Sequence, residues 1–233
     1  ETKRLYQRIR QAKISLGFTL PEPMSPLIGR LPELAQLDQR LDEDGCRLLT
    51  IVGIGGIGKT RLAQALAWRR AHEYLNGVCF VSVAAAHNEQ SFLLLFAQGL
   101  RVTLEGQATP ASQILDFLHQ REMLLILDNL EHLIDETVDF VRQMLHHAPD
   151  VQLVVTSRER LLLRQEWVFQ LEGLPVEGEN EGAFTLLVAR LKQFAPDLAL
   201  TPEVETAVRT ICRLVDGVPL ALELAAAVCA FHP

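Results

Sequence analysis

Residues 53–60, Gly53-Ile54-Gly55-Gly56-Ile57-Gly58-Lys59-Thr60, hold four glycines, one lysine and one hydroxyl within eight positions. The spacing fits G-x-x-x-x-G-K-[ST] at Gly53, Gly58, Lys59 and Thr60. Glycines, here also Gly55 and Gly56, let a backbone turn tightly and aim its N–H groups, that of Ile57 among them, at phosphate oxygens. A helix that begins at Lys59 would add its positive dipole end. The Lys59 ammonium can then reach β- and γ-phosphates, and the Thr60 hydroxyl can ligate Mg²⁺. This is the chemistry of a P-loop that holds ATP or ADP with Mg²⁺. The competing reading is a Gly-rich turn without a ligand.

Two further segments end in polar groups. Leu124-Leu125-Ile126-Leu127-Asp128 places a carboxylate at the end of an apolar run. A buried carboxylate needs a partner, and beside a P-loop it reads as the acid that holds Mg²⁺ through water. The alternative is a helix-capping Asp. Val154-Val155-Thr156-Ser157-Arg158 repeats the arrangement, with Arg158 placed to read a γ-phosphate. Arg160 and Arg164 are rivals for that role, and a salt-bridging surface Arg is the bland alternative. Asp128 is followed by Asn129 where related ATPases carry a second acid to polarise water. Glu131 is the nearest substitute. His132 reads as a surface or capping histidine.

The elements that must position these groups alternate in type. Helices are expected over 32–41, 60–74, 90–100, 112–120 and 135–147. Apolar strands are expected over 47–52, 77–83, 123–127 and 151–156, and an edge strand over 166–171, where apolar and polar residues alternate. Short strands alternating with helices predict an α/β fold, a parallel sheet with helices on both faces. Ligands bind such sheets outside the carboxyl ends of the strands, where all three polar segments fall. After Gly178 only helices are expected, so a small all-helical domain comes next. Residues 1–17 read as a helix with one basic face (Lys3, Arg4, Arg8, Arg10 and Lys13), and Pro21, Pro23 and Pro26 mark a linker.

Composition excludes several classes. A net charge of −7 does not suit a chain that coats nucleic acid or anionic lipid. No apolar run approaches the ~20 residues a membrane span needs, and no signal-peptide pattern opens the chain. Cys46, Cys79, Cys212 and Cys229 are widely spaced and lack metal-ligand spacing. They read as reduced, mostly buried thiols of a cytoplasmic protein. No Asn-Lys-x-Asp guanine reader and no Arg-rich lid occur, which disfavours a GTPase and a P-loop kinase.

With these motifs in order, the chain resembles the nucleotide-binding core of the signal-transduction ATPases, the STAND class, also called AP-ATPase or NB-ARC domains. The resemblance rests on Leu27-Ile28-Gly29-Arg30, on Gly53 to Thr60 with Arg61-Leu62-Ala63, on Leu124 to Glu131 with Thr156-Ser157-Arg158, and on Gly217-Val218-Pro219-Leu220-Ala221-Leu222. It covers about residues 25–230 and implies that Leu27, Ile28, Gly29, Arg30 and Pro219 pack on the adenine, with Arg61 also at the nucleotide. Gly217 would end one helix and Pro219 start the next. Glu1 to Ile9 is similar to the last helix of the bacterial transcriptional activation domain that precedes such an ATPase in SARP-type regulators.

Residues 1–20 are therefore expected to be the tail of an upstream domain, 21–26 a linker, 27–175 the P-loop domain, and 176–233 a helical domain truncated at its end. The apolar helix 220–231 would normally be covered by a further downstream segment. Lys59, Asp128, Glu131 and Arg158 carry a slow ATPase reaction, and Thr60 and Asp128 hold the metal. The resemblance implies a switch, closed with ADP and open or oligomeric with ATP, working with an upstream DNA-binding domain and a downstream sensor. This stretch itself is not expected to bind DNA or membrane. The alternatives are a catalytically degenerate binding module and an AAA+-like remodelling ATPase.

Overall fold

The computed structural model describes residues 20–21, 26–177 and 182–231. The expected helix over 1–17, its basic face and most of the linker lie outside the described residues. Five strands, β1 (Leu48–Val52), β2 (Val78–Ser82), β3 (Met123–Asp128), β4 (Val151–Ser157) and β5 (Glu166–Gln170), form one sheet in the order β2-β3-β4-β1-β5. Every pairing is parallel. β5 lies at the edge, as its alternating pattern predicted.

Every residue of β1 and β3 is buried, so side chains alternating across the pleat feed two cores. One face carries Leu48, Leu125, Leu127, Leu153 and Val155. It is covered by α3 (Glu89–Leu100), α4 (Pro110–His119) and α5 (Ile134–His147). Phe92, Phe96 and Phe140 meet there with ring centroids 5.7–5.9 Å apart. Leu49, Ile51, Leu124, Ile126 and Val154 point to the other face, against α1 (Leu31–Leu41) and α2 (Lys59–Arg70). The helix starts follow local chemistry: Asn88 and Ser91 close a capping box on α3, and Thr109 caps α4 just before Pro110.

Beyond β5 the chain forms α6 (Gly182–Phe194), α7 (Pro202–Leu214) and α8 (Pro219–Phe231). They share a third core that includes Leu174, Leu187, Val208, Cys212 and Leu222. The predicted stop at Gly217 needs correction: α7 ends at Leu214, and Asp216 (φ +48°) has already turned left-handed before Gly217 (φ +63°). Asp tolerates that region, so the corner uses two residues. α8 buries Leu222 and Ala226 but exposes Leu220, Leu224 and Val228, a stripe at four-residue intervals. Among the described residues no helix is long and apolar enough to cross a membrane.

Candidate functional site

The order β3-β4-β1 sets the carboxyl ends of three strands side by side, and the polar segments meet there. Residues 53–58 leave β1 and turn into α2, whose N-cap is Gly58 (φ +99°). Gly56 is also left-handed (φ +77°). Both conformations are open to glycine and strained for other residues. The N-terminus of α2 therefore opens into a cavity of about 350 Å³, lined by Gly55 to Arg61 among others, within the ~300–1,000 Å³ range of small-molecule pockets.

Lys59 is 9% exposed, and its ammonium donates to Gly53 O (2.7 Å) and Ile54 O (3.1 Å). Burial pushes its pKa down; Glu131 and Asp128 nearby counter that, and Arg158 adds to it. Asp128 Oδ1 accepts from the hydroxyls of Thr60 and Thr156, both at 2.7 Å. Thr60 and Asp128 thus stand together as the two oxygen donors expected around Mg²⁺. Among the described residues there is no cluster of three or more His, Cys, Asp or Glu fit to hold a metal. Asp128 caps no helix, because α5 starts six residues later at Ile134.

Thr156 lines the cavity, and the motif quoted it without a role. Its side chain is buried, and its Oγ1 also accepts from the N–H of Asn129 (2.9 Å). Its carbonyl accepts from Leu130 N (3.0 Å). Thr156 therefore locks the end of β3 to β4, with Asn129 in a left-handed conformation (φ +69°). A hydroxyl at the end of a buried strand was the available signal, because such a group needs a partner. Arg158, at the end of β4, donates Nε–H to Glu131 Oε1 (3.0 Å). His132 Nε2 is bonded to the carbonyl of Ala86 (2.8 Å) at the surface, as its bland reading expected.

Another part of the lining is apolar, made of Pro26, Leu27, Ile28, Leu174, Leu186 and Pro219. Leu174 and Leu186 had no signal in the sequence, since a core leucine looks the same wherever it packs. Within the 27–30 motif the roles divide. Leu27, Ile28 and Arg30 line the cavity, whereas Gly29 (φ +68°) packs against Gly182 and is not a lining residue. Arg30 is 4% exposed and donates to Ile57 O (3.2 Å), Glu172 O (2.6 Å) and Glu33 Oε1 (2.6 Å). It braces the loop against the chain that leads to the helices. Gly53 likewise stays behind the wall, where an added Cβ would fall 2.8 Å from Leu171 O. Arg61 lines the cavity and donates to Pro26 O (3.1 Å).

The helices close on the loop directly. Leu220 N donates to Gly56 O (3.2 Å), and a Cβ at Gly56 would fall 2.7 Å from Leu220 Cβ. Leu174 N donates to Gly217 O (2.8 Å), tying the chain beyond β5 to the corner before α8. Glu223 of α8, also in the cavity wall, pairs with Arg190 of α6 (2.8 Å) and lies 3.9 Å from Arg61 of α2.

Residues 41–164, more than half of the chain, match the AAA domain family. A Mycobacterium tuberculosis protein named as an HTH-type transcriptional regulator is 33% identical over 181 residues, which are 78% of this chain and 20% of that protein. The chain thus spans about a fifth of the length of that curated relative. Among solved structures, a Pyrococcus horikoshii STAND protein with a tetratricopeptide repeat sensor superposes with a TM-score of 0.60 at 19% identity, covering 90% of this chain and 31% of that one. Cdc6p from Pyrobaculum aerophilum superposes with a TM-score of 0.61 at 18% identity, covering 93% of this chain and 65% of that one.

Proposed function

The chain belongs to the AAA domain family, and we propose that it is the ATP/ADP-binding switch of a larger transcriptional regulator. The observation that carries this reading is the bond from Leu220 N to Gly56 O. The phosphate-binding loop is itself part of the surface on which the helices dock. Whatever fills the loop therefore bears directly on how the helices sit, which is the coupling a switch needs.

The residues divide the work. Backbone amides of 55–60 and the α2 dipole bind the phosphates, and Lys59 exchanges its loop carbonyls for phosphate oxygens. Thr60 and Asp128 hold Mg²⁺, which when bound neutralises charge on the β- and γ-oxygens. Leu27, Ile28 and Pro219 enclose the base. Arg158 reads the terminal phosphate, and Glu131 activates water. With Asn129 in place of a second acid, turnover is slow, so nucleotide state matters more than rate. ADP holds the helices closed on the loop, and ATP loosens them toward an open, oligomeric form. The relative's name supports a regulator with an HTH domain elsewhere in the full-length protein; in this reading the protein is cytoplasmic, and residues 27–175 and 176–233 are its two nucleotide-contacting domains.

The test is the nucleotide that co-purifies with this chain, released by heat and resolved by ion exchange. ADP is the expected result. Retained ATP would mean a binding module without hydrolysis. No nucleotide, together with no binding of added Mg-ADP, would overturn the reading.

A further inference from the structure

Arg158 and Glu131 flank the phosphate end of the cavity, and both line it. Their environments differ sharply. The Arg158 side chain is 63% exposed and held through Nε, whereas the Glu131 side chain is only 15% exposed. Glu131 Oε2 is buried without a hydrogen-bond partner. Leaving a carboxylate oxygen dry and unpaired is costly, so the arrangement favours a state in which a donor reaches it. The Arg158 guanidinium also lies over the P-loop: a Cβ at Gly55 would be 3.5 Å from Nη2. Arg158 is therefore an exposed cation held between a largely buried carboxylate and the loop. A terminal phosphate beside Lys59 attracts Arg158 and repels Glu131, and a phosphate group is a stronger, bidentate partner for the guanidinium.

We propose that the Arg158–Glu131 ion pair is a latch that ADP leaves closed and a terminal phosphate opens. This rests on the reading of Arg158 as the reader of that phosphate. Opening the latch moves Arg158 to the phosphate and frees Glu131 for the attacking water. A bond forms from the water oxygen to the γ-phosphorus as the bond to the ADP oxygen breaks, and its electron pair leaves with ADP. The proton of the water passes to Glu131 and then to solvent. After phosphate departs, Arg158 returns to Glu131 and masks it. The same pair then sets both discrimination between nucleotides and the low turnover.

The experiment is calorimetric titration of Mg-ADP and of a non-hydrolysable Mg-ATP analogue, with single-turnover hydrolysis of ATP alongside. Glu131→Gln removes the competitor for Arg158, so preference for the ATP analogue over ADP rises about two- to fivefold, the scale of a largely exposed ion pair. Hydrolysis in that variant falls by about 100-fold or more, as for a lost general base. In Arg158→Gln the preference drops, and adding Glu131→Gln to it raises the preference by less than Glu131→Gln does alone. A Glu131→Gln preference that stays the same or falls overturns the latch, and so does a gain that is just as large without Arg158. A preference unaltered in Arg158→Gln overturns instead the reading of Arg158 as the phosphate reader. An unchanged far-UV circular dichroism spectrum in each variant reports an intact fold.

Discussion

The two ends of the cavity are built on different plans. The phosphate end is nearly one stretch of chain, residues 53–60, joined by Asp128 and Thr156 from neighbouring strands. The apolar end is gathered from Leu27 and Ile28, from Leu174 and Leu186, and from Pro219. Backbone amides and a helix terminus can present themselves to phosphate from a local turn. An apolar enclosure has to be assembled, and here it depends on α6 and α8 staying docked. The difference teaches that the first is built locally by the backbone, whereas the second exists only through the packing of elements distant in the chain.

The largest effect expected is at the phosphate end. Lys59→Ala should weaken Mg-ATP and Mg-ADP by about 100-fold, as for loss of a charge-assisted bond worth ~3 kcal/mol. Far-UV circular dichroism should stay unchanged, because the ammonium bonds only to carbonyls of its own loop. Retained tight ADP binding would break the comparison.

At the apolar end, Gly29→Ala should cost about 1–3 kcal/mol in urea unfolding, from left-handed strain plus a clash. Its Cβ would lie 2.7 Å from Gly182 Cα, so nucleotide affinity should fall with stability. Gly45→Ala is the control: it shares a positive φ (+89°) but meets nothing within 4 Å. It should cost about 1 kcal/mol and leave affinity alone. Equal losses in both variants would show that the Gly29–Gly182 contact is dispensable.

Thr156→Val sharpens the comparison within the phosphate end. It keeps the shape but leaves Asp128 and Asn129 N short of a partner, at a cost of about 1–3 kcal/mol. Mg²⁺-dependent affinity should fall more than Mg²⁺-independent affinity, measured by titrating ADP with and without the metal.

The smallest effect is expected away from the cavity. Burial pushes the Cys79 thiol up to about 12 and the Cys46 thiol up to about 11. Raised values keep both protonated, and hence unreactive, across pH 7–9. Native protein should therefore react with a disulfide reagent at Cys229, which is partly exposed, and not at Cys46, Cys79 or Cys212. All four should react after unfolding. Fast labelling of Cys79 in native protein would show that the sheet opens locally.

Legibility in the sequence divided along similar lines. Strands β1, β3 and β4 were readable because burial on both faces demands continuous apolar runs, and their polar ends marked the site. The acid at Asp128 stood out because a buried carboxylate at the end of such a run needs a partner, and helix capping was the alternative that the start of α5 at Ile134 removes. Arg30 was readable only in part: it lines the cavity as the motif implied, but its bonds to Ile57 O and Glu172 O had no signal in the sequence. The end of α7 was not readable, because Asp216 and Gly217 can both turn left-handed and sequence does not rank them.

By itself the sequence determined the parallel α/β core, the P-loop and the identity of the groups at the strand ends. Those come from local periodicity, from glycine's conformational range and from the chemistry of each side chain. Only the tertiary structure decided which leucines face the cavity, that Thr156 anchors Asp128, that Arg158 rests on Glu131, and that Leu220 bonds the loop. Each of those is a contact between residues distant in the chain. A side chain's type states what bonds it can make, and packing selects the partner.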